Sequence, residues 1–280
     1  EERNTRDMLT IREDILATFA NSGPEVEIDK VLPDHNDDIA LRLEGADAMI
    51  EAADAAGVQF CVGFMRRYTP STRFVREALS PDSIGRPAFY SIFASAPIRP
   101  KILMHDVSAN GGPVIDMCCH WFDIARVYFD AEPVRVMAQG MTFAADRPEL
   151  EAIAEKAVDT ASIAITFDSG DVLSIDISWG LPPSIEGSSS ERILAPGGRI
   201  ADIRFDSSRT VIRDEQAKRT IECDHLQTFQ DSTNLLVEDF LRAVRGEIDL
   251  PVTGADGRRA LEISLAALES IETGRAVQLS

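Results

Sequence analysis

The chain has 280 residues, 44% of them hydrophobic, with 47 acidic against 28 basic side chains and a formal net charge of −19. That length can bury one large core or two ordinary ones, and the charge argues against nucleic acid or an anionic membrane as partner. No apolar run approaches the ~18 residues of a membrane helix, and the opening EERNTRDMLT lacks the hydrophobic region of a signal peptide.

In chain order, IREDILATFA (11–20) reads as a short helix ended by Gly23-Pro24, and EVEIDKVL (25–32) as a short strand. EGADAMIEAADAAG (44–57) is a helix: alanine-rich, acidic at its start and stopped by Gly57. VQFCVGF (58–64) follows as an apolar run of the kind a buried parallel strand shows. Pro70 opens the helix STRFVREAL, SIGRP (83–87) is a turn, and AFYSIFASA (88–96) a strand. A long loop containing His105-Asp106 leads to Gly111-Gly112 and a helix from Pro113 to about Phe129. Strands are expected at 134–143, 161–167 and 172–179, the last two joined by the hairpin signal Asp168-Ser169-Gly170-Asp171. Shorter strands follow in RILAPG, GRIADIRFD, TVIRD and RTIECD, then helices ended by Gly246 and Gly274 and a last strand, AVQL.

The expected fold class is thus α/β plus α+β: part of a parallel layer, then a large, mostly antiparallel open sheet with helices on one face. Residues 1–65 and 66–280 form the two expected parts. Cys61, Cys118, Cys119 and Cys223 make no CxxC, and an adjacent pair rarely bridges to itself, so a reduced, cytoplasmic protein is expected.

Chemistry concentrates in GGPVIDMCCHWFD (111–123). On a continuous helix Asp116 and His120 lie four residues and about 40° apart and share a face. An aspartate one turn before a histidine suits a general base near neutral pH. The same spacing suits a structural pair, with Asp116 hydrating the first turn and His120 a hydrogen-bonded core residue. A metal would need further ligands. Asp123, Cys119 or His105 could serve, but no spacing is diagnostic, and no metal is assigned.

Five motifs occur in order: VGFMRRYTP (62–70), SIGRPAFYSI (83–92), GGPVIDMCCHWFDIAR (111–126), DTASIAITFDSGDVLSIDISW (159–179) and GADGRRALEISLAALESIETGRAVQL (254–279). Together they resemble the Gfo/Idh/MocA oxidoreductases, from about residue 39 to the end. The resemblance implies an N-terminal Rossmann domain that binds NAD or NADP, and a C-terminal domain that walls the active site and forms a homo-oligomer through its open sheet. It implies a sugar, inositol or related polyol as substrate, oxidised at a hydroxyl. Asp116 and His120 match the family's aspartate and histidine, the histidine taking the hydroxyl proton and the aspartate orienting the substrate. Arg67 matches an arginine near the cleft, either binding substrate or forming an ion pair at the domain junction.

The departures are as specific. No GxGxxG turn occurs anywhere, and where the family carries Glu-Lys-Pro this chain has Asn36, Asp37 and Asp38. Residues 1–65 therefore read as an incomplete dinucleotide-binding remnant that binds NAD or NADP weakly or not at all. The rival to an active oxidoreductase is a non-catalytic paralogue or fragment that binds ligand or oligomerises.

Overall fold

The computed structural model describes residues 41–201, 203, 209–214, 219–224 and 229–280. The helix expected at 11–20 and the strand expected at 25–32 lie outside the described residues.

Helix α1 (Leu43–Ala56) forms where the alanine-rich run predicts it, with Glu44 in its first turn. Gly57 ends it in the left-handed region (φ 65°), its N–H bonded to the carbonyls of Ala53 and Asp54, a conformation glycine adopts without a Cβ penalty. The next stretch, 58–64, corrects the sequence reading: it is not a strand. A strand needs a ladder partner, and among the described residues none lies beside it. Instead the Phe60 carbonyl accepts from Gly254 N at 3.1 Å. A side chain at Gly254 would strike the Phe60 ring, and one at Gly257 would strike Val62. The apolar run is thus explained by docking onto a helix rather than by a sheet.

A 3-10 turn (Met65–Tyr68) leads into α2 (Pro70–Ala78), with proline at its first position. Among the described residues the remaining helices are α3 (Pro113–Asp116), α4 (Cys118–Phe129), α5 (Phe229–Val244) and α6 (Gly254–Thr273). Thr253 and Asp256 form a reciprocal capping box at the start of α6. The strands are β1 (Phe89–Pro97), β2 (Pro133–Met141), β3 (Thr160–Phe167), β4 (Val172–Leu181), β5 (Ser188–Ala195), β6 (Gly198–Ala201), β7 (Arg209–Asp214), β8 (Arg219–Asp224) and β9 (Val277–Gln278).

They make one nine-stranded sheet in the order β8-β7-β6-β5-β1-β4-β3-β2-β9. Every pairing is antiparallel except β1 with β4. The fold is therefore α/β with the large, mostly antiparallel sheet expected. Alternation sorts the two faces. Tyr90, Ile92, Ile163, Ile165 and Phe167 turn inward and join Trp121, Phe122 and Phe129 of α4 and Ile263 and Ala267 of α6 in one buried core. The other face carries Phe89, Phe93, Leu194 and Met141, all more than 40% exposed, among Ser162, Ala164 and Asp176.

Candidate active site

The loop before α3 is shaped by Asp106, whose carboxylate accepts from Ser108 N (2.8 Å), Ser108 Oγ (2.7 Å) and Ala109 N (3.3 Å). Gly111 and Gly112 then take φ of 76° and 75°. A Cβ on Gly112 would lie 2.8 Å from the Ala157 side chain and 3.0 Å from the Val158 carbonyl. These glycines therefore admit neighbouring protein, not a ligand.

The helix expected over 113–129 is broken at Met117 (φ −102°, ψ −43°) into α3 and α4. In a continuous helix the Asp116 carbonyl would accept from His120 N. Here it takes the Cys119 thiol at 3.3 Å, while His120 N turns to Met117 O at 3.2 Å. The local tightening puts Asp116 at the end of one segment and His120 in the first turn of the next.

Neither residue belongs to the buried core. The Asp116 carboxylate accepts from Asn110 Nδ2 at 3.1 Å. The His120 ring meets Phe64 edge to face, centroids 5.8 Å apart. Among the described residues neither of its nitrogens has a hydrogen-bond partner. Burial, then the charge of Arg66, hold the imidazole below its usual value, with Asp116 pulling the other way. Its ring nitrogens are thus unengaged among the described residues, in surroundings that favour the uncharged imidazole.

Arg67 lies near these groups but is fully engaged by the protein. Its Nε donates to Asp123 Oδ2 at 2.8 Å and its Nη2 to Asp123 Oδ1 at 2.5 Å. Nη2 also meets Asp256 Oδ1 at 2.8 Å, and Nη1 donates to the Pro251 carbonyl at 2.9 Å. Arg126 continues the network to Glu132, which Arg259 also holds. These bonds tie the Met65–Tyr68 turn to α4 and α6.

The other candidate ligands are dispersed. His105 is buried, its Nε2 accepting from Arg99 N at 3.0 Å. Burial and the nearby Asp116 carboxylate push the Cys119 thiol up to about 12. Among the described residues no three His, Cys, Asp or Glu side chains converge as a metal site would require.

Three participants escaped the sequence reading. Asn110 and Glu191 sit in polar stretches with no distinguishing signal. Arg66 lies inside the GFMRRY motif, but its spacing does not reveal that it turns into the interior, 7% exposed.

The comparisons with known proteins agree with this architecture. The family model described as "Oxidoreductase family, C-terminal alpha/beta domain" matches residues 76–279. The myo-inositol 2-dehydrogenase of Thermotoga maritima is 30% identical over 247 residues, covering 86% of this chain and 70% of that protein. The scyllo-inositol 2-dehydrogenase (NAD(+)) of Bacillus subtilis is 27% identical over 95% of this chain and 74% of its own length. Among solved structures, an oxidoreductase domain protein from Kribbella flavida superposes with a TM-score of 0.71 at 18% identity, covering 85% of this chain and 71% of that one, a likeness of fold. The chain belongs to the Gfo/Idh/MocA oxidoreductase family. It is similar to inositol dehydrogenases within that family.

The described residues do not by themselves fit a dinucleotide. The paired glycines that a phosphate cradle would use are packed against Ile115, Ala157 and Val158. α3, which follows them, is a helix of only four residues.

Proposed function

We propose that this chain is the substrate side of an oxidoreductase acting on a hydroxyl of an inositol, a sugar or a related polyol. The observation that carries the reading is that Asp116 ends α3 four residues before His120 in the first turn of α4, and that the ring nitrogens of His120 have no hydrogen-bond partner among the described residues. His120 accepts the proton of the hydroxyl being oxidised, and Asp116 orients that hydroxyl. A base is effective when its free form is populated at working pH, and the environment of His120 favours that form. The hydride acceptor is NAD or NADP by the family's chemistry, and it is not held by the residues described. Arg67 acts in this reading as an architectural tie rather than as a substrate ligand. Residues 1–65 are a dinucleotide-binding remnant, residues 66–280 the substrate-binding and assembly part, and the protein assembles through its open sheet.

The test is calorimetric binding of myo-inositol, scyllo-inositol and D-glucose to this chain, followed by turnover with NAD or NADP. If turnover is found, His120→Ala should reduce it about 10²–10⁴-fold, the usual contribution of a positioned base. Turnover unchanged in His120→Ala would reject the assignment.

A second reading is favoured by one specific observation: the sequence has neither GxGxxG nor the lysine of Glu-Lys-Pro. In that reading the chain binds a polyol or oligomerises without turnover. Substrate binding with no oxidation at any cofactor concentration would support it.

A further inference from the structure

The loop ahead of α3 carries an asparagine side chain that the loop itself does not use. Asparagine serves turns in two ways: it tolerates the left-handed region, and its side chain bonds nearby backbone groups. Asn110 does neither. Among the described residues Asp130 is the only non-glycine residue with positive φ. The turn is closed instead by Asp106, whose carboxylate holds Ser108 and Ala109 and whose carbonyl accepts from Asn110 N at 3.1 Å and Gly111 N at 2.9 Å. Among the described residues the Asn110 side chain makes one hydrogen bond, from Nδ2 to Asp116 Oδ1 at 3.1 Å.

That bond leaves its other end unmatched. Asn110 Oδ1 is buried without a partner, one of three such side-chain atoms among the described residues. Buried polar groups are nearly always paired, and an unpaired one costs free energy. Turning the amide over gives no relief, because Oδ1 would then face the Asp116 carboxylate, acceptor against acceptor. The orientation that orphans Oδ1 is the one that serves Asp116.

Both ends of the bond stand on held backbone. Asn110 is fixed through the Asp106 carbonyl, and Asp116 N donates to the Gly112 carbonyl at 2.9 Å. Among the described residues the Asp116 carboxylate has no other hydrogen-bond partner, which leaves Oδ2 unengaged. A neutral donor sets the plane of a carboxylate without cancelling its charge, as a lysine or arginine would. We propose that Asn110 is a positioning residue: its amide fixes the Asp116 carboxylate so that Oδ2 is presented to a hydroxyl of the bound polyol. This role rests on Asp116 being the group that orients that hydroxyl.

The test is calorimetric binding of myo-inositol to the full chain, with urea unfolding alongside. Asn110→Ala should weaken binding about tenfold or more, as a recognition group set loose does, with no loss of stability, since the unpaired oxygen leaves with the amide. Asn110→Asp keeps the size and shape but sets acceptor against acceptor. It should bind worse than Asn110→Ala near neutral pH and recover toward wild type in mild acid, where one of two adjacent carboxyls takes a proton and donates to the other. Each affinity is compared with wild type at the same pH, which removes the titration of His120 and Cys119, both close enough to feel the Asp116 charge. A folded Asn110→Ala with wild-type affinity would overturn the proposal. So would a loss of stability that accounts for the lost binding, or an Asn110→Asp deficit that does not change with pH. If wild type binds no myo-inositol, the polyol reading fails separately, and the Asn110 side-chain amide signals by NMR decide the hold on Asp116. Their movement in Asp116→Ala supports it, and unmoved signals overturn it.

Discussion

Arg67 grips Asp123 with both Nε and Nη2, and Asp123 stands one turn beyond His120 on the same helix. Asp123 is fully buried. Removing the cation strands a carboxylate in the interior, and breaking a buried pair from one side costs about 3–5 kcal/mol. Arg67→Met is therefore expected to lower unfolding stability by about that amount, read from the midpoint of a urea transition at constant slope. A variant as stable as wild type would mean that the arginine is held for a ligand and not for the fold.

Cofactor affinity is the second expectation. With no glycine-rich turn in the sequence and the Gly111–Gly112 pair filled by protein atoms, pyrophosphate lacks a backbone cradle. Calorimetry on residues 1–280 should find NAD(H) and NADP(H) binding weakly or not at all. Sub-micromolar affinity for either would place a binding site in the first forty residues.

The open face of the sheet gives the third. Phe93 is 47% exposed near its middle, beside Asp176 on β4 and Ser190 on β5. Exposed apolar groups on an uncovered sheet mark an association surface. A homodimer or higher oligomer is expected by light scattering at tens of micromolar, and Phe93→Lys should shift it toward monomer without loss of fold. A monomeric wild type would refute this.

Asp171 supplies a pH prediction. It is fully buried at the start of β4; burial alone would raise its pKa, but hydrogen bonds from Arg86, Ser169 and the Ala88 amide, with the Arg86 charge, hold it below the usual value. A carboxylate whose folded pKa is depressed stabilises the fold above its unfolded pKa, about 4, and loses that contribution as pH falls through the folded value. Asp171→Asn should be less stable by about 1–3 kcal/mol at pH 7, and the gap should narrow below pH 4. A gap of constant size across pH would assign the effect to packing.

What the sequence discloses and what it hides follow from locality. The β3–β4 hairpin is legible because its turn residues are contiguous, with Gly170 at φ 84°. The parallel pairing of β1 with β4 is not, since the alternation in AFYSIFASA does not name its neighbour. The run 58–64 has the apolar content of a buried strand, yet its partners are the glycines of α6, far along the chain. At the site, Asp116 and His120 are visible through spacing and family resemblance. The break at Met117 is not, because it depends on where the Cys119 thiol and the His120 amide find acceptors. The Arg66–Glu191 pair joins residues 125 positions apart, and no local pattern announces such a contact.

The place of β1 has a consequence for how the chain reaches this state. Among the described residues β1 is the first strand in chain order but the middle one of the sheet, with Phe89 set opposite Val172 on one side and Leu194 on the other. A chain emerging from its N-terminus holds that strand with both edges bare until the residues of β4 and β5 are available. Pairings of such long sequence separation are slow to form, and unpaired strand edges invite self-association. A nascent chain halted before Val172 would carry the centre of its future sheet as its stickiest surface.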